Sequence, residues 1–536
     1  MKKITSFLIV LAMLAAMMVI MIPAASAAWD GTSMSAALVG TGSELDPYLV
    51  QSENDLAFVA NQVNTSATTY ADMYIKLTAD LDLGGKKWTP IGENKSTGFF
   101  SGIFDGDGHT IYGLNVYTNP DDKNALYGGV FGRVDNGTVM NLTVEGATVV
   151  SSKYAGAIVG NLTAKAGGSP SAIINCHAIN CSIYGLQIGG IVGRSSQEKV
   201  DKGFLKITGC TANTITLDKV TATEFPNITI DNTNHFIGGI VGCIGATVVS
   251  GCTAMNITAN AYGTGFAPVG GIAGVVGADK VNADIVNCAV IGVNFTASAD
   301  CHAEKTSIGG LAGKLAHVGV ASGDPNMEVN VFNCFVSDVS ITNNTTSANN
   351  GVVAGLINDT IFSNDVYYVP VEGLNAFGTY NFYPDPIFTS VSHLGELSVE
   401  NLNKGNSTAV WVANPVAGYP TVDIDAAIAN QPTFVDYYVE HPEGEETDPP
   451  ADETTKAPED ETTKAPAEET TKAPADETTE APEDETTEAP ATNAPTTNAP
   501  VTTDKAEEKK GCGGFAASGV IVIALLGTAI VIKKKN

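Results

Sequence analysis

Short apolar pulses separated by Gly, Asn and Thr recur along the middle of the chain. The sharpest is Ile188-Gly-Gly-Ile-Val-Gly193. It returns as Ile237-Gly-Gly-Ile-Val-Gly242, Val269-Gly-Gly-Ile-Ala-Gly274 and Ile308-Gly-Gly-Leu-Ala-Gly313. Looser copies are Tyr127-Gly-Gly-Val-Phe-Gly132, Ala155-Gly-Ala-Ile-Val-Gly160 and Asn350-Gly-Val-Val-Ala-Gly355. Their last glycines lie 28, 33, 49, 32, 39 and 42 residues apart, and self-similarity at such periods marks a repeat architecture. A second pulse ends in cysteine: Ile173-Ile-Asn-Cys176, Ile207-Thr-Gly-Cys210, Val249-Ser-Gly-Cys252, Ile285-Val-Asn-Cys288 and Val331-Phe-Asn-Cys334. A third alternates apolar and polar residues, as in Thr214-Ile-Thr-Leu217, Met255-Asn-Ile-Thr258 and Val339-Ser-Ile-Thr342. Each pulse is short, rich in Val, Ile and Thr, and bounded by Gly, Asn or Asp, which is a strand signature. Three short strands per repeat, with no helical period between them, predict one turn of a parallel β-helix. The paired glycines suit sharp corners, because Gly accepts φ > 0 and close backbone approach. Uneven spacing fits a coil of constant cross-section with loops of varying length bulging outward.

The Gly-Gly-Ile-Val-Gly motif and its Asn-Cys partner resemble the GLUG repeats of bacterial surface proteins. The segment Ala79-Asp-Leu-Asp-Leu83, Trp88-Thr-Pro-Ile-Gly92 and Phe99-Phe-Ser-Gly-Ile-Phe-Asp-Gly-Asp-Gly-His-Thr-Ile111 is similar to the lead-in of such repeats. The resemblance covers residues 40–425. It implies a right-handed β-helix and a cell-surface setting, and it names no ligand.

Ahead of the repeats, Ser52-Glu-Asn-Asp55 precedes Leu56, Ala57, Val59, Ala60 and Val63. This capping pattern and helical apolar spacing predict a short amphipathic helix. Such a helix closes the open N-terminal end of a coil, where an exposed end strand would template aggregation. Strands are expected at Tyr74–Leu77, Phe100–Phe104 and Thr110–Val116. Between the last two, Asp105-Gly-Asp-Gly108 reads as a tight turn, since two carboxylates fall short of the six to eight oxygens that calcium takes. The first coils and N-terminal cap thus span 28–126 and the repeats 127–369. Two insertions interrupt the repeats. One is 218–236, with Asp218, Lys219, Glu224 and Asp231; the other is 314–329, with His317, Asp324, Pro325 and Glu328. Long loops on one side of a solenoid are where binding is usually built, and equally are what a coil tolerates. Residues 370–440 lose the repeat and read as a C-terminal cap. Tyr380, Tyr383 and Trp411 there are expected as plugs of the coil end, with stacking on sugars as the rival role.

Composition changes the picture mainly at the two ends. Residues 1–27 read as a secretory signal: Lys2 and Lys3, an apolar run from Phe7 to Ile22, then Ala25-Ser-Ala27. In 441–510 a Glu-Thr-Thr-Lys/Glu-Ala-Pro unit recurs every eight residues from Glu453. Dense proline, like charges and few apolar residues cannot fold a core, so this is an expected disordered acidic stalk. Residues 511–536 carry a 20-residue apolar run, Gly513 to Ile532, then Lys533-Lys-Lys535. That run is long enough to span a bilayer with the lysines on the cytoplasmic side. The formal net charge is −30, of which residues 29–440 carry −20 and 441–510 carry −15, the two ends adding five lysines. Such a surface argues against nucleic acid, whose phosphates need Lys and Arg.

Nine cysteines occur. Cys176, Cys210, Cys252, Cys288 and Cys334 share one slot per repeat, and equivalent residues of stacked coils lie ~4.8 Å apart. An inward ladder of buried thiols is expected. Cys181, Cys243 and Cys301 are less regular, and a disulfide among them stays open. No Cys-x-x-Cys metal pair is present, and no cofactor is implied. The histidines (109, 177, 235, 302, 317, 393 and 441) are scattered, and neither a His-Glu-x-x-His helix nor a Gly-x-Ser-x-Gly elbow occurs. No catalytic residue is therefore assigned. The expectation is an all-β protein: a capped right-handed parallel β-helix of roughly ten coils, a stalk and one C-terminal transmembrane helix. It is displayed on a bacterial surface, of Gram-positive type, as an adhesin for a host glycan, a host protein or a polysaccharide. A β-helix polysaccharide lyase or hydrolase, and a structural surface-layer component, are the alternatives.

Overall fold

The computed structural model describes residues 28–429, apart from 94–97, 119–125, 166–167, 198–203, 221–233, 279–281, 316–328, 347–348, 359–360 and 381–387. The expected signal, stalk and membrane anchor lie outside the described residues. No described helix is long and apolar enough to cross a membrane.

Four parallel sheets hold almost all the strands. They have ten, thirteen, seven and eight strands, called here the first to fourth sheets. Each central repeat gives one strand to each sheet in that order, and the next repeat lays its own strands alongside. Ala172–Ile174, His177–Tyr184, Gln187–Gly189 and Val192–Ser195 pair in parallel with Leu205–Thr208, Thr211–Asp218, Phe236–Gly238 and Val241–Ile244. This is the strand arrangement of a parallel β-helix. A repeat has four strands rather than the expected three, because the Gly-Gly block is two strands with a corner inside it.

The reason for glycine at that corner differs from expectation in part. Gly189, Gly190, Gly238 and Gly239 all lie outside the positive-φ region. Space is what requires them. A Cβ on Gly190 would stand 2.2 Å from the Gly239 carbonyl oxygen, one on Gly239 would stand 2.1 Å from that of Gly271, and one on Gly271 would stand 2.3 Å from that of Gly310. The backbone bonds run through the same atoms, with Gly190 N donating to Gly239 O at 3.0 Å and Gly271 N to Gly310 O at 2.8 Å.

Left-handed residues occupy two other places in each coil. The residue before each ladder cysteine turns the first sheet into the second: Asn175 (φ 49°), Gly209 (66°), Gly251 (64°), Asn287 (55°) and Asn333 (53°). Five residues later Asn180, Thr214, Asn256, Gly292 and Asp338 are left-handed as well. That second bend resets the alternation of the long second-sheet strand, so Ala178, Cys181 and Ile183 all face the core. Asn and Gly are the residues that accept this conformation most readily.

Cys176, Cys210, Cys252, Cys288 and Cys334 are fully buried, as expected for an inward ladder. None is in a disulfide, and neither is Cys181 or Cys301. Rungs of the ladder touch: the Cys210 N–H donates to Cys252 Sγ at 3.4 Å and the Cys288 N–H to Cys334 Sγ at 3.3 Å.

At the N-terminal end, α1 (Glu53–Asn64) buries Leu56, Val59, Ala60 and Val63 in the same core as the first coils. The N-cap Ser52 makes no side-chain cap bond to the helix; Asp55 instead ties down the chain just ahead of it, accepting from Gln51 N at 3.0 Å and Ser52 Oγ at 2.9 Å. At the far end, Phe377–Tyr380 and Phe388–Ser390 extend the fourth and second sheets. The chain then doubles back. Residues 391–429 run along the outside of the corner between first and second sheets, toward earlier coils. Lys404 Nζ is 3.7 Å from Asp365 Oδ1, Asn333 Nδ2 donates to Lys404 O at 2.9 Å, and Trp411 Nε1 donates to Asn287 Oδ1 at 3.1 Å. Ile424 and Ala427 then lie against Gly209 and Gly251. Trp411 thus sits on the flank, not in the coil end. Its ring is 5.3 Å from Phe335, within a second apolar cluster that includes Ala289, Tyr367, Leu397 and Leu402. The side chains of Tyr380 and Tyr383 lie outside what is described.

Candidate binding face

The four connections of a coil are not equivalent. In the six coils from Thr138–Met140 to Val329–Phe332 the first-to-second connection takes two residues, as between Ile174 and His177 or Phe332 and Phe335. In those coils the large differences in length fall where the third and fourth sheets are entered and left. The first insertion joins Thr211–Asp218 to Phe236–Gly238, and the second joins Ala312–Leu315 to Val329–Phe332. Both therefore flank one side of the coil, the third and fourth sheets, but from opposite margins: the first at the second-to-third connection and the second at the fourth-to-first connection. Asp218 accepts from Asn260 Nδ2 at 2.7 Å. Glu224, Asp231, His317, Asp324, Pro325 and Glu328 lie outside the described residues.

Cations gather along this side of the coil, although the body is acidic. Lys153 lies 4.8 Å from the Tyr154 ring centroid and the Arg194 guanidinium 5.5 Å from the same ring. Arg133 and Lys165 face Phe99 at 5.4 and 3.6 Å. Lys219 faces Tyr262 at 6.0 Å, while Lys305 and Lys314 flank Phe266 at 5.9 and 5.2 Å. Arg133, Arg194 and Lys314 lie in fourth-sheet strands, Lys153 and Lys305 just before third-sheet strands, Lys165 after the fourth-sheet strand Val159–Thr163, and Lys219 after the second-sheet strand Thr211–Asp218. Among the described residues no carboxylate lies within 4.0 Å of the Lys153, Lys165, Lys219 or Lys305 ammonium.

Accessibility separates these rings. Tyr127 and Tyr154 stack at 5.4 Å but are 7% exposed, and Tyr262 is 3% exposed with its hydroxyl donating to Gly185 O at 2.5 Å. Burial pushes the Tyr262 phenol well above its ordinary pKa. Phe266 is 37% exposed. Lys305 beside it is half-buried, whereas Lys314 is only 8% exposed. A partly open ring beside an ammonium group offers stacking and charge together, which suits a sugar carrying a carboxylate or sulfate. The sequence reading did not single out Phe266, Lys305 or Lys314. A signal existed: a basic residue follows the last glycine of the motif at Arg133, Arg194 and Lys314.

Other candidates resolve as structure. Asp105-Gly-Asp-Gly108 is a turn with Asp107 (φ 51°) and Gly108 (φ 81°) left-handed. Asp105 Oδ1 accepts from Asp107 N and Asn141 Nδ2, both at 2.9 Å, and Asp107 pairs with Lys76 at 3.0 Å. A cleft of about 220 Å³ near the N-terminus is lined by Trp29, Met34, Asn61, Asn64, Lys87 and Trp88. Its tryptophans are 7% and 2% exposed, and their indole N–H groups donate to Ser33 O and Val130 O. His177 is half-buried, which lowers its pKa.

No protein-family model matches the chain, so the GLUG resemblance rests on the repeated residues themselves. A stretch of 179 residues is 32% identical to Halomucin of Haloquadratum walsbyi, covering 32% of this chain and 2% of that protein. A stretch of 125 residues is 37% identical to a Gly-rich membrane protein of Evansella cellulosilytica, provisionally so named, covering 23% of this chain and 14% of that one. The chain thus spans a small fraction of the curated relatives it matches. Among solved structures, a Bacteroides ovatus protein, provisionally described as an immunoglobulin A1 protease, aligns over 72% of this chain and 94% of its own, with 20% identity and a TM-score of 0.44.

Proposed function

We propose that the chain is an extracellular adhesin, a right-handed β-helical rod held on a bacterial surface by its stalk and C-terminal helix, and that it binds acidic glycans. One observation carries this: cation–ring pairs gather along the third and fourth sheets, the side that the two long insertions flank, on a body whose net charge is −20. Phe266 with Lys305 is the accessible member. The signal, stalk and anchor read from sequence supply display, and a membrane protein and Halomucin among the partial relatives suit that setting. A rigid stack of about ten rungs, each ~4.8 Å, makes such a side roughly 50 Å long.

The test compares the full chain with Phe266→Ala and Lys305→Ala on an array of neutral, uronic-acid and sulfated glycans. Retention on acidic members alone, weakened about tenfold by either change, supports the reading; a tenfold loss is about 1.4 kcal/mol, within the range of a desolvated cation–ring pair. Equal retention of neutral glycans, or variants that bind as the parent does, would overturn it.

A further inference from the structure

We propose that residues 391–429 are a peelable strap, through which tension on the C-terminal segment enters the side of the coil and lifts the strap before any coil opens. The proposal does not depend on the ligand. It rests on the order of contacts. Along the strap, Lys404 meets Asp365 and Asn333, Asn406 and Trp411 meet Asn287, Val422 meets Gly251, Ile424 meets Gly209, and Ala427 meets Gly251 again. From Lys404 to Ile424 those corner residues belong to five successive coils taken in reverse, and the final turn steps one coil forward. The described chain therefore ends about three rungs back from the Asp365 corner, or ~14 Å at the usual strand spacing.

The bonding differs in kind along this path. Each coil is tied to the next by backbone bonds in four sheets. Among the described residues, the strap's two strands, Trp411–Val412 and Thr421–Val422, pair with each other and with no coil. Beyond Val391, whose N–H donates to Tyr368 O at 2.9 Å, the strap is held by side chains: Asn287 with Asn406 and Trp411, the Lys404–Asp365 pair, and the apolar patch of Phe335, Tyr367 and Trp411. Pulled from residue 429, these contacts are loaded in sequence rather than together, so the strap opens as a unit of lower stability than the sheets.

The coil is adapted to the strap. Four of its corner residues, Asn333, Asn287, Gly251 and Gly209, meet the same left-handed requirement with two asparagines and two glycines, and glycine stands where the strap lies closest. A Cβ on Gly251 would be 2.7 Å from Ala427 Cβ, and one on Gly209 would be 2.9 Å from Ile424 Cγ2. Apart from strap atoms, the nearest contacts there are 3.7 and 3.9 Å away. Asparagine at these positions would keep the corner, as Asn175 and Asn287 do, and push the strap off. Gly146 provides a control, being left-handed (φ 69°) with nothing within 4 Å.

The experiment pulls the full chain in a detergent micelle by handles fused at its two ends. The expected first event is a low-force step releasing about 39 residues, roughly 130 Å of extended chain. Gly251→Asn should remove or weaken that step and leave later steps unchanged; Gly146→Asn should leave all steps unchanged. Hydrogen exchange on the same variants gives a second readout. Gly251→Asn should deprotect 394–429 and keep the sheets protected. A first step that already contains coil residues, or a Gly251→Asn variant with its strap still protected, would overturn the proposal.

Discussion

Replacing Gly239 with alanine tests the close approach that sets the coil spacing. The new Cβ would start 2.1 Å from the Gly271 carbonyl oxygen and 3.1 Å from Ile257 Cγ1. Ordinary contact begins near 3.4 Å, so the neighbouring coil must move by more than 1 Å. The same atoms carry two rung-to-rung bonds, Gly239 N to Gly270 O and Gly190 N to Gly239 O, both 3.0 Å. Overpacking typically costs about 1–3 kcal/mol, and each bond that stretches out of range costs about 1 kcal/mol. The expected loss is therefore about 3–5 kcal/mol. Gly146→Ala is the comparison. It meets open space, and its cost is the left-handed backbone alone, about 1–2 kcal/mol. Urea unfolding followed by circular dichroism reads both. Asparagine separates the causes further, since it should relieve the change at 146 and not at 239. If Gly146→Ala proved as costly as Gly239→Ala, conformational freedom rather than space would explain the motif, and the reasoning would fail.

Three further outcomes follow from the buried thiols and the strap. Burial raises the Cys176, Cys210, Cys252 and Cys288 thiols well above the usual value of 9.0. In the unfolded chain they ionise near that value, so their contribution is complete below pH 9 and is lost as pH rises beyond it. Four such groups give a slope of up to about 5 kcal/mol per pH unit; a urea midpoint unchanged between pH 8 and pH 10 would contradict the neutral ladder. Native protein at pH 8 should also leave these thiols unreactive toward a thiol-exchange dye, while the urea-unfolded chain reacts. Trp411→Ala removes a ring that is 1% exposed and should cost about 3–5 kcal/mol locally. The loss should appear as faster exchange in 394–429, with second-sheet protection retained; uniform deprotection would count against a separable strap.

How much of this was legible varied by element. The repeat, the strand type and the inward cysteine slot followed from spacing, because a coil reuses one residue choice at one place. The Gly-Gly block was located correctly and explained in part, since sequence does not distinguish a glycine needed for φ from one needed for space. The second left-handed bend had a visible cue, five residues after each corner, but Asn180, Thr214, Asn256, Gly292 and Asp338 share no single residue type. Residues 391–429 could not be placed on the flank from sequence, because Gly209 and Gly251 look like ordinary corner glycines until Ile424 and Ala427 lie beside them. Phe266, Lys305 and Lys314 are 48 residues apart at the extremes and meet because successive coils stack.

The most direct test of function recovers the glycan held by the full chain after prolonged incubation and weighs it. Acidic chains recovered at their original mass, and bound more weakly by the Phe266→Ala variant, are what an adhesin requires. Chains that return shortened, or lighter by the water lost in forming an unsaturated end, would contradict the account and make this side of the coil the site of an enzyme.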